Sequence, residues 1–113
     1  MTISTHVLDA SAGAPGAGVA VVLSHGDLAT GPGRLSYWQQ VESGVTDADG
    51  RYRFAAATPA GTYRLMFATG PYFTARAVPA FYPEVTITFT VGDGHFHVPL
   101  LLSPFAYSTY RGS

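Results

Sequence analysis

Turn-forming residues divide this chain into pieces that suit strands far better than helices. Ile3–Asp9, Val19–His25, Ser36–Ser43, Arg51–Ala55, Thr62–Ala68, Glu84–Val91, His95–Leu102 and Phe105–Arg111 are rich in β-branched and aromatic residues. Loops separate them: Ser11–Gly18 with four glycines and prolines, Gly26–Gly33, the tight turn Asp47-Ala48-Asp49-Gly50, and Ser103-Pro104. Glu84–Val91 alternates Val85, Ile87 and Phe89 against Thr86, Thr88 and Thr90, the mark of a half-buried strand. Gly92-Asp93-Gly94 then predicts a hairpin into His95–Leu102. One helix is expected over Tyr72–Val78, with Gly70 as a cap, Pro71 in the first turn and Pro79 as the stop. Eight short strands and one short helix in a single domain over residues 1–113 predict an all-β sandwich, with an eight-stranded barrel as the competing closure.

Charged residues make up 12% of the chain, about half the usual ~25%. A surface so poor in charge is expected to cover part of itself with further copies of the chain. The net charge of −1 gives no electrostatic case for nucleic acid or an anionic membrane. No apolar run reaches the ~20 residues of a membrane span. From Met1–His6, with no positive region before an apolar stretch, no secretory leader is expected, and from Ser113 no peroxisomal signal is expected. With no cysteine there is no disulfide, thiolate nucleophile or Cys-based zinc site, which suits a reducing cytosol.

Residues two apart in a strand share a face. His6 and Leu8 therefore face one way, and Ile3, Thr5 and Val7 the other. His95, His97, Pro99 and Leu101 share a face, as do Ser108 and Tyr110, with Arg111 opposite them. Two histidines, a serine and a tyrosine line one surface if these strands are neighbours. An imidazole titrates near neutral pH and serves as a general base. His95-Phe96-His97 also has a spacing that can hold zinc, but a third ligand would have to be His6 or His25, and we expect no metal. Arg51 offers paired donors to an anionic or urea-like substrate. Asp47-Ala48-Asp49-Gly50 is no calcium loop, because the twelfth position is Thr58 rather than Glu. Ser108 lies in no nucleophile elbow, so its hydroxyl fits the orientation of water or substrate better than attack.

Ser4-Thr5-His6-Val7-Leu8-Asp9, Thr46–Arg51, Phe81–Val85, His97–Pro104 and the terminal Tyr110-Arg111-Gly112-Ser113 resemble the 5-hydroxyisourate hydrolase branch of the transthyretin family. The likeness covers essentially the whole chain, and the terminal tetrapeptide is its most specific mark. It implies a sandwich of two four-stranded sheets with one short helix, assembled as a homotetramer with active sites at the ends of a channel. It also implies that the first strand lies beside the last two. The implied reaction is hydrolysis of a ureide, 5-hydroxyisourate, with no metal or organic cofactor. The family's active-site positions fall on His6, Arg51, His97 and Tyr110, with Ser108 beside them. Either histidine would activate water, Arg51 would stabilise charge on the carbonyl oxygen, Ser108 would position the water and Tyr110 would close the site. Two other readings compete: a carrier of small ligands without catalysis, and a purely structural sandwich module.

Overall fold

The computed structural model describes residues 2–27 and 37–112. Residues 28–33 of the expected Gly26–Gly33 loop, Ser36 at the start of the expected third strand, and Ser113 lie outside the described residues. Among those described, the strands are β1 (Thr2–Asp9), β2 (Ala14–Pro15), β3 (Ala20–Asp27), β4 (Tyr37–Val45), β5 (Arg51–Arg53), β6 (Gly61–Phe67), β7 (Val85–Val91), β8 (His95–Leu102) and β9 (Tyr107–Thr109). One helix, α1 (Thr69–Thr74), follows β6.

The strands form two sheets. One runs β2-β1-β8-β9 with β5 also paired to β1, and the other runs β4-β3-β6-β7. The expected sandwich stands, with one strand more than expected because the Ser11–Gly18 loop contributes the two-residue β2. Apolar side chains alternate inward, as in β1, where Ile3, Thr5, Val7 and Asp9 are buried and Thr2, Ser4, His6 and Leu8 face outward and are half-buried. Leu23, Phe54, Leu65, Phe67, Phe96 and Leu100 join Ile3 and Val7 in the core between the sheets. Thr5 enters this core because its hydroxyl donates to the Val98 carbonyl at 2.7 Å.

Three expectations need correction. The Gly92–Gly94 turn makes no hairpin: β7 pairs with β6 in one sheet and β8 with β1 in the other, so this turn is a corner between sheets. The same Gly-Asp-Gly chemistry serves both geometries, and Thr2 N–H to Gly94 O at 3.2 Å draws the corner toward β1. The helix begins and ends earlier than Tyr72–Val78. Pro71 is tolerated as its third residue because first-turn N–H groups have no intrahelical partner. The helix closes when Ala77 turns left-handed (φ 56°), with Ala77 N–H to Thr74 O and Val78 N–H to Phe73 O, a Schellman closure. Gly26 and Asp27 finish β3 rather than open a loop.

Two polar ties hold the fold where strands are short. Asp9 is 3% exposed and accepts from Tyr72 Oη (2.7 Å), Ser11 Oγ (2.6 Å) and the Ser11 and Ala12 N–H groups. Burial alone would raise its pKa, but these four bonds outweigh it and hold the carboxyl below its usual range. The same contact and burial push the Tyr72 phenol up to about 12. On edge strand β4, Glu42 lies opposite the core residue Leu23 and so points into the gap between the sheets. Its carboxylate accepts from Tyr52 Oη (2.7 Å), Ala55 N–H (3.0 Å) and Ala56 N–H (2.8 Å), tying β5 and its exit to the opposite sheet.

Candidate active site

The outward face of the β1 sheet assembles the candidate residues. β1 and β8 run parallel with unbroken register from Thr2↔His95 to Asp9↔Leu102. On the other side of β1, the short β5 sets Arg51 opposite His6 and Arg53 opposite Ser4. Reading across the sheet, one row holds Arg51, His6 and Pro99, and the next holds Arg53, Ser4 and His97. His6 and His97 are thus diagonal neighbours, and Arg51 adjoins His6 directly. The first strand does lie beside β8, with β9 on the far side.

Arg51 owes its place to the turn before it. Asp47 Oδ1 accepts from Asp49 N–H and Arg51 N–H, both at 2.9 Å, while Gly50 takes the left-handed conformation (φ 76°). The turn also fixes His6, whose Nε2 donates to the Asp49 carbonyl at 3.0 Å. A carbonyl only accepts, so neutral His6 carries its proton on Nε2 and keeps Nδ1 open. A cleft of about 250 Å³ is lined by Ser4, Thr5, Asp47, Arg51, Tyr52, Arg53 and His97.

His97 is half-buried, and Ser4 Oγ lies 2.8 Å from its Nδ1. Burial, followed by the positive fields of His6, Arg51 and His95, holds its pKa below the ordinary 6.5. His97 is therefore neutral at physiological pH, the state a general base requires. Behind it, Gly112 forms an antiparallel bridge to His97, with Gly112 N–H donating to His97 O at 2.9 Å. A Cβ at Gly112 would lie 2.6 Å from the imidazole Cδ2, so the C-terminal segment packs against the ring itself.

The remaining candidates fall differently. Tyr110 lines a second cavity, about 230 Å³, together with His97, Phe96 and Arg111, and its own side chain is largely exposed. Arg111 stacks over Phe96 at 4.6 Å, which anchors the tail. Ser108 shares the outward face but lies opposite Leu101, four residues along β8 from His97 and so about 13 Å away. Within one chain it lines a groove with Leu101, Ser103 and Tyr107, outside the Arg51–His97 cleft. His25 stands in the other sheet, stacked on Tyr63 at 4.5 Å, and is no partner for His95 and His97. Among the described residues no three metal-ligating side chains converge. The sequence reading missed Ser4 and the Asp49 carbonyl as partners of the two histidines. Ser4 was recoverable, because it sits two residues before His6 and so on the same face.

A two-sheet sandwich with two imidazoles and a guanidinium on an open face has the makings of a general-base hydrolytic site built on a β-scaffold. The chain belongs to the HIUase/Transthyretin family, whose model matches residues 3–112. It is 42% identical over 117 residues to the 5-hydroxyisourate hydrolase of Salmonella dublin, covering 98% of this chain and 80% of that protein. The structure of Klebsiella pneumoniae 5-hydroxyisourate hydrolase superposes with a TM-score of 0.83 at 41% identity, covering 100% of both chains. Transthyretin from Sparus aurata is similar too, with a TM-score of 0.84 at 34% identity over 97% of this chain and 95% of that one. The fold is therefore common to both branches, and the site residues must separate them.

Proposed function

We propose that this chain hydrolyses 5-hydroxyisourate, a step in urate breakdown. Water attacks a ring carbonyl and the adjacent C–N bond opens, giving 2-oxo-4-hydroxy-4-carboxy-5-ureidoimidazoline. The observation that carries this reading is the outward-facing set of His6, Arg51 and His97, with His97 held neutral. His97 Nε2, left open by the Nδ1 contact to Ser4, takes a proton from water as its oxygen adds to the carbonyl carbon. Arg51 donates to the developing oxyanion, where a fixed cation stabilises the transition state more than the ground state. The tetrahedral centre then collapses, and the departing ring nitrogen takes the proton that the imidazole holds. His6, pinned by Asp49, orients the ureide through its open Nδ1. The carrier reading explains the fold but gives these three polar side chains no task.

The working unit we propose is a homotetramer, a dimer of dimers of one-domain chains acting in the cytosol. Its support is the low charge content and the exposed aromatic side chains of Tyr107 in edge strand β9 and of Phe105 and Tyr110 flanking it. In that assembly Ser108 and Tyr110 complete the site, positioning water and closing the substrate in. No helix among the described residues is long and apolar enough to cross a membrane.

The test is the absorbance decay of 5-hydroxyisourate freshly made by urate oxidase. Rapid decay with wild type and near-background decay with His97→Ala supports the assignment. Background decay with folded wild-type protein refutes it and brings the carrier reading forward.

A further inference from the structure

The proposed mechanism uses only one nitrogen of His97. The other begins a continuous hydrogen-bonded chain across the β1–β8 pairing. Ser4 Oγ lies 2.8 Å from His97 Nδ1 and 2.9 Å from His95 Nε2, and Thr2 Oγ1 lies 2.5 Å from His95 Nδ1. The parallel register builds this chain: Thr2 is opposite His95 and Ser4 opposite His97, all on the outward face. A histidine two residues before His97 and a serine two before His6 are thereby interleaved. His95 is exposed, so the chain leads from the half-buried His97 to solvent.

We propose that Ser4 and His95, with Thr2, form a proton relay behind His97, in which Ser4 fixes the tautomer of the base and His95 connects it to water. This rests on the hydrolase reading, and Ser4 and His95 are positioning residues within it. A hydroxyl donates once and accepts more than once, so Ser4 between two imidazole nitrogens has two self-consistent settings. In the first, His97 Nδ1–H donates to Ser4, Ser4 O–H to His95 Nε2, and His95 Nδ1–H to Thr2. His97 Nε2 is then bare and acts as a base. When Nε2 takes a proton from water, the Nδ1 proton passes to Ser4 and the Ser4 proton to His95 Nε2. The His95 Nδ1 proton passes to Thr2, and one proton leaves Thr2 for solvent. The second setting results, with every bond reversed and Nε2–H ready to protonate the departing nitrogen. One proton enters and one leaves, and no charge is stored in the cleft.

That last property suits the surroundings. The positive fields on His97 come from His6 on β1, Arg51 on β5 and His95 on its own strand; Arg53 also lines the cleft and Arg111 with Tyr110 the adjoining cavity, against the single carboxylate Asp47 lining the cleft. An added charge on His97 is disfavoured there, and a relay avoids it.

The test compares Ser4→Ala, Ser4→Thr and His95→Gln in the holo-length chain. Ser4→Ala should lower kcat about 10- to 100-fold with KM unchanged, less than the ~10²–10⁴ lost with the base itself, and Ser4→Thr should restore most of it. His95→Gln should make kcat depend on buffer concentration, with added imidazole restoring it. Wild-type kcat and pH profile in Ser4→Ala, or no imidazole response in His95→Gln, would overturn the relay. The ¹⁵N shifts of the His97 ring give a reading without substrate. The ratio of Nδ1- to Nε2-protonated forms should change in Ser4→Ala, and an unchanged ratio overturns the proposal. Wild-type protein with no hydrolase activity would instead sink the reaction assignment, and the nitrogen shifts keep the two failures apart.

Discussion

Glu42→Ala puts a number on how Arg51 is held. β5 is three residues long and, among the described residues, pairs only with β1, so it has little of its own to fix it. Glu42 reaches across from β4 and accepts from Tyr52 Oη at 2.7 Å and from the N–H groups of Ala55 and Ala56 at 3.0 and 2.8 Å. A hydrogen bond to a charged group contributes about 1.5–3 kcal/mol. These three share one half-buried carboxylate, so they do not add in full, and a total of about 3 kcal/mol is expected. At a urea m-value of ~1–3 kcal/mol/M, the unfolding midpoint should fall by about 1.5 M, measured at pH 7 and one fixed protein concentration. The sign with pH follows from the carboxyl. Burial raises its pKa, but the three bonds outweigh it, and the folded value lies below the ordinary 4.5. The stabilisation is therefore present above pH 4.5 and lost as pH falls through the folded value, so wild type and variant should converge in acid. Because β5 carries Arg51, the variant should also lose at least ~10-fold in kcat/KM through misplacement of the guanidinium. A midpoint shift under about 0.3 M in urea, or one that does not narrow as the pH falls below 4.5, would show that Glu42 does not hold β5 in this way.

Other outcomes are expected. The acid limb of the kcat/KM profile should have its midpoint below 6.5, because His97 must be neutral and its folded pKa is depressed; a midpoint above 7 would assign the limb to another group. Tyr72→Phe leaves Asp9 Oδ2 buried without its donor and should cost about 2 kcal/mol in urea unfolding at pH 7, a penalty that fades as Asp9 is protonated. Ala77→Gly relieves a left-handed alanine at the helix end and should raise stability by about 0.5–1 kcal/mol in the same measurement; a loss would mean that the turn is held by something other than its local closure.

Much of this architecture was legible in the residues, for identifiable reasons. The β7 range follows from two-residue alternation, and the ranges of β1 and β8 from the turn residues that bound them, while the same period put His6 with Leu8 and His97 with His95 on one face each. What alternation cannot supply is which strands are neighbours. Gly92-Asp93-Gly94 reads identically as a hairpin and as a corner, and only the competition between β1 and β7 for β8 decides. Arg51 could be read as a turn residue, but its place opposite His6 depends on a pairing across 45 residues of sequence. Ser108 marks the limit of the single chain: its outward orientation was foreseeable, yet its groove lies away from the cleft.

The parallel pairing of β1 with β8 has a consequence for how the protein comes into being. Ser4 and His97 are 93 residues apart, so the site is among the most non-local contacts that the sequence contains. Closing a loop of that length costs entropy that no early contact returns, and high contact order slows folding. During synthesis β1, with Ile3 and Val7 destined for the core, leaves the ribosome long before β8 exists to cover its open edge. In that interval the native partners of β1 that exist among the described residues are β2 and β5, two strands of two and three residues. The nascent chain is therefore most prone to aggregation just before His95–Leu102 emerges, and the segment that completes the proposed catalytic face is also the one that ends this exposure.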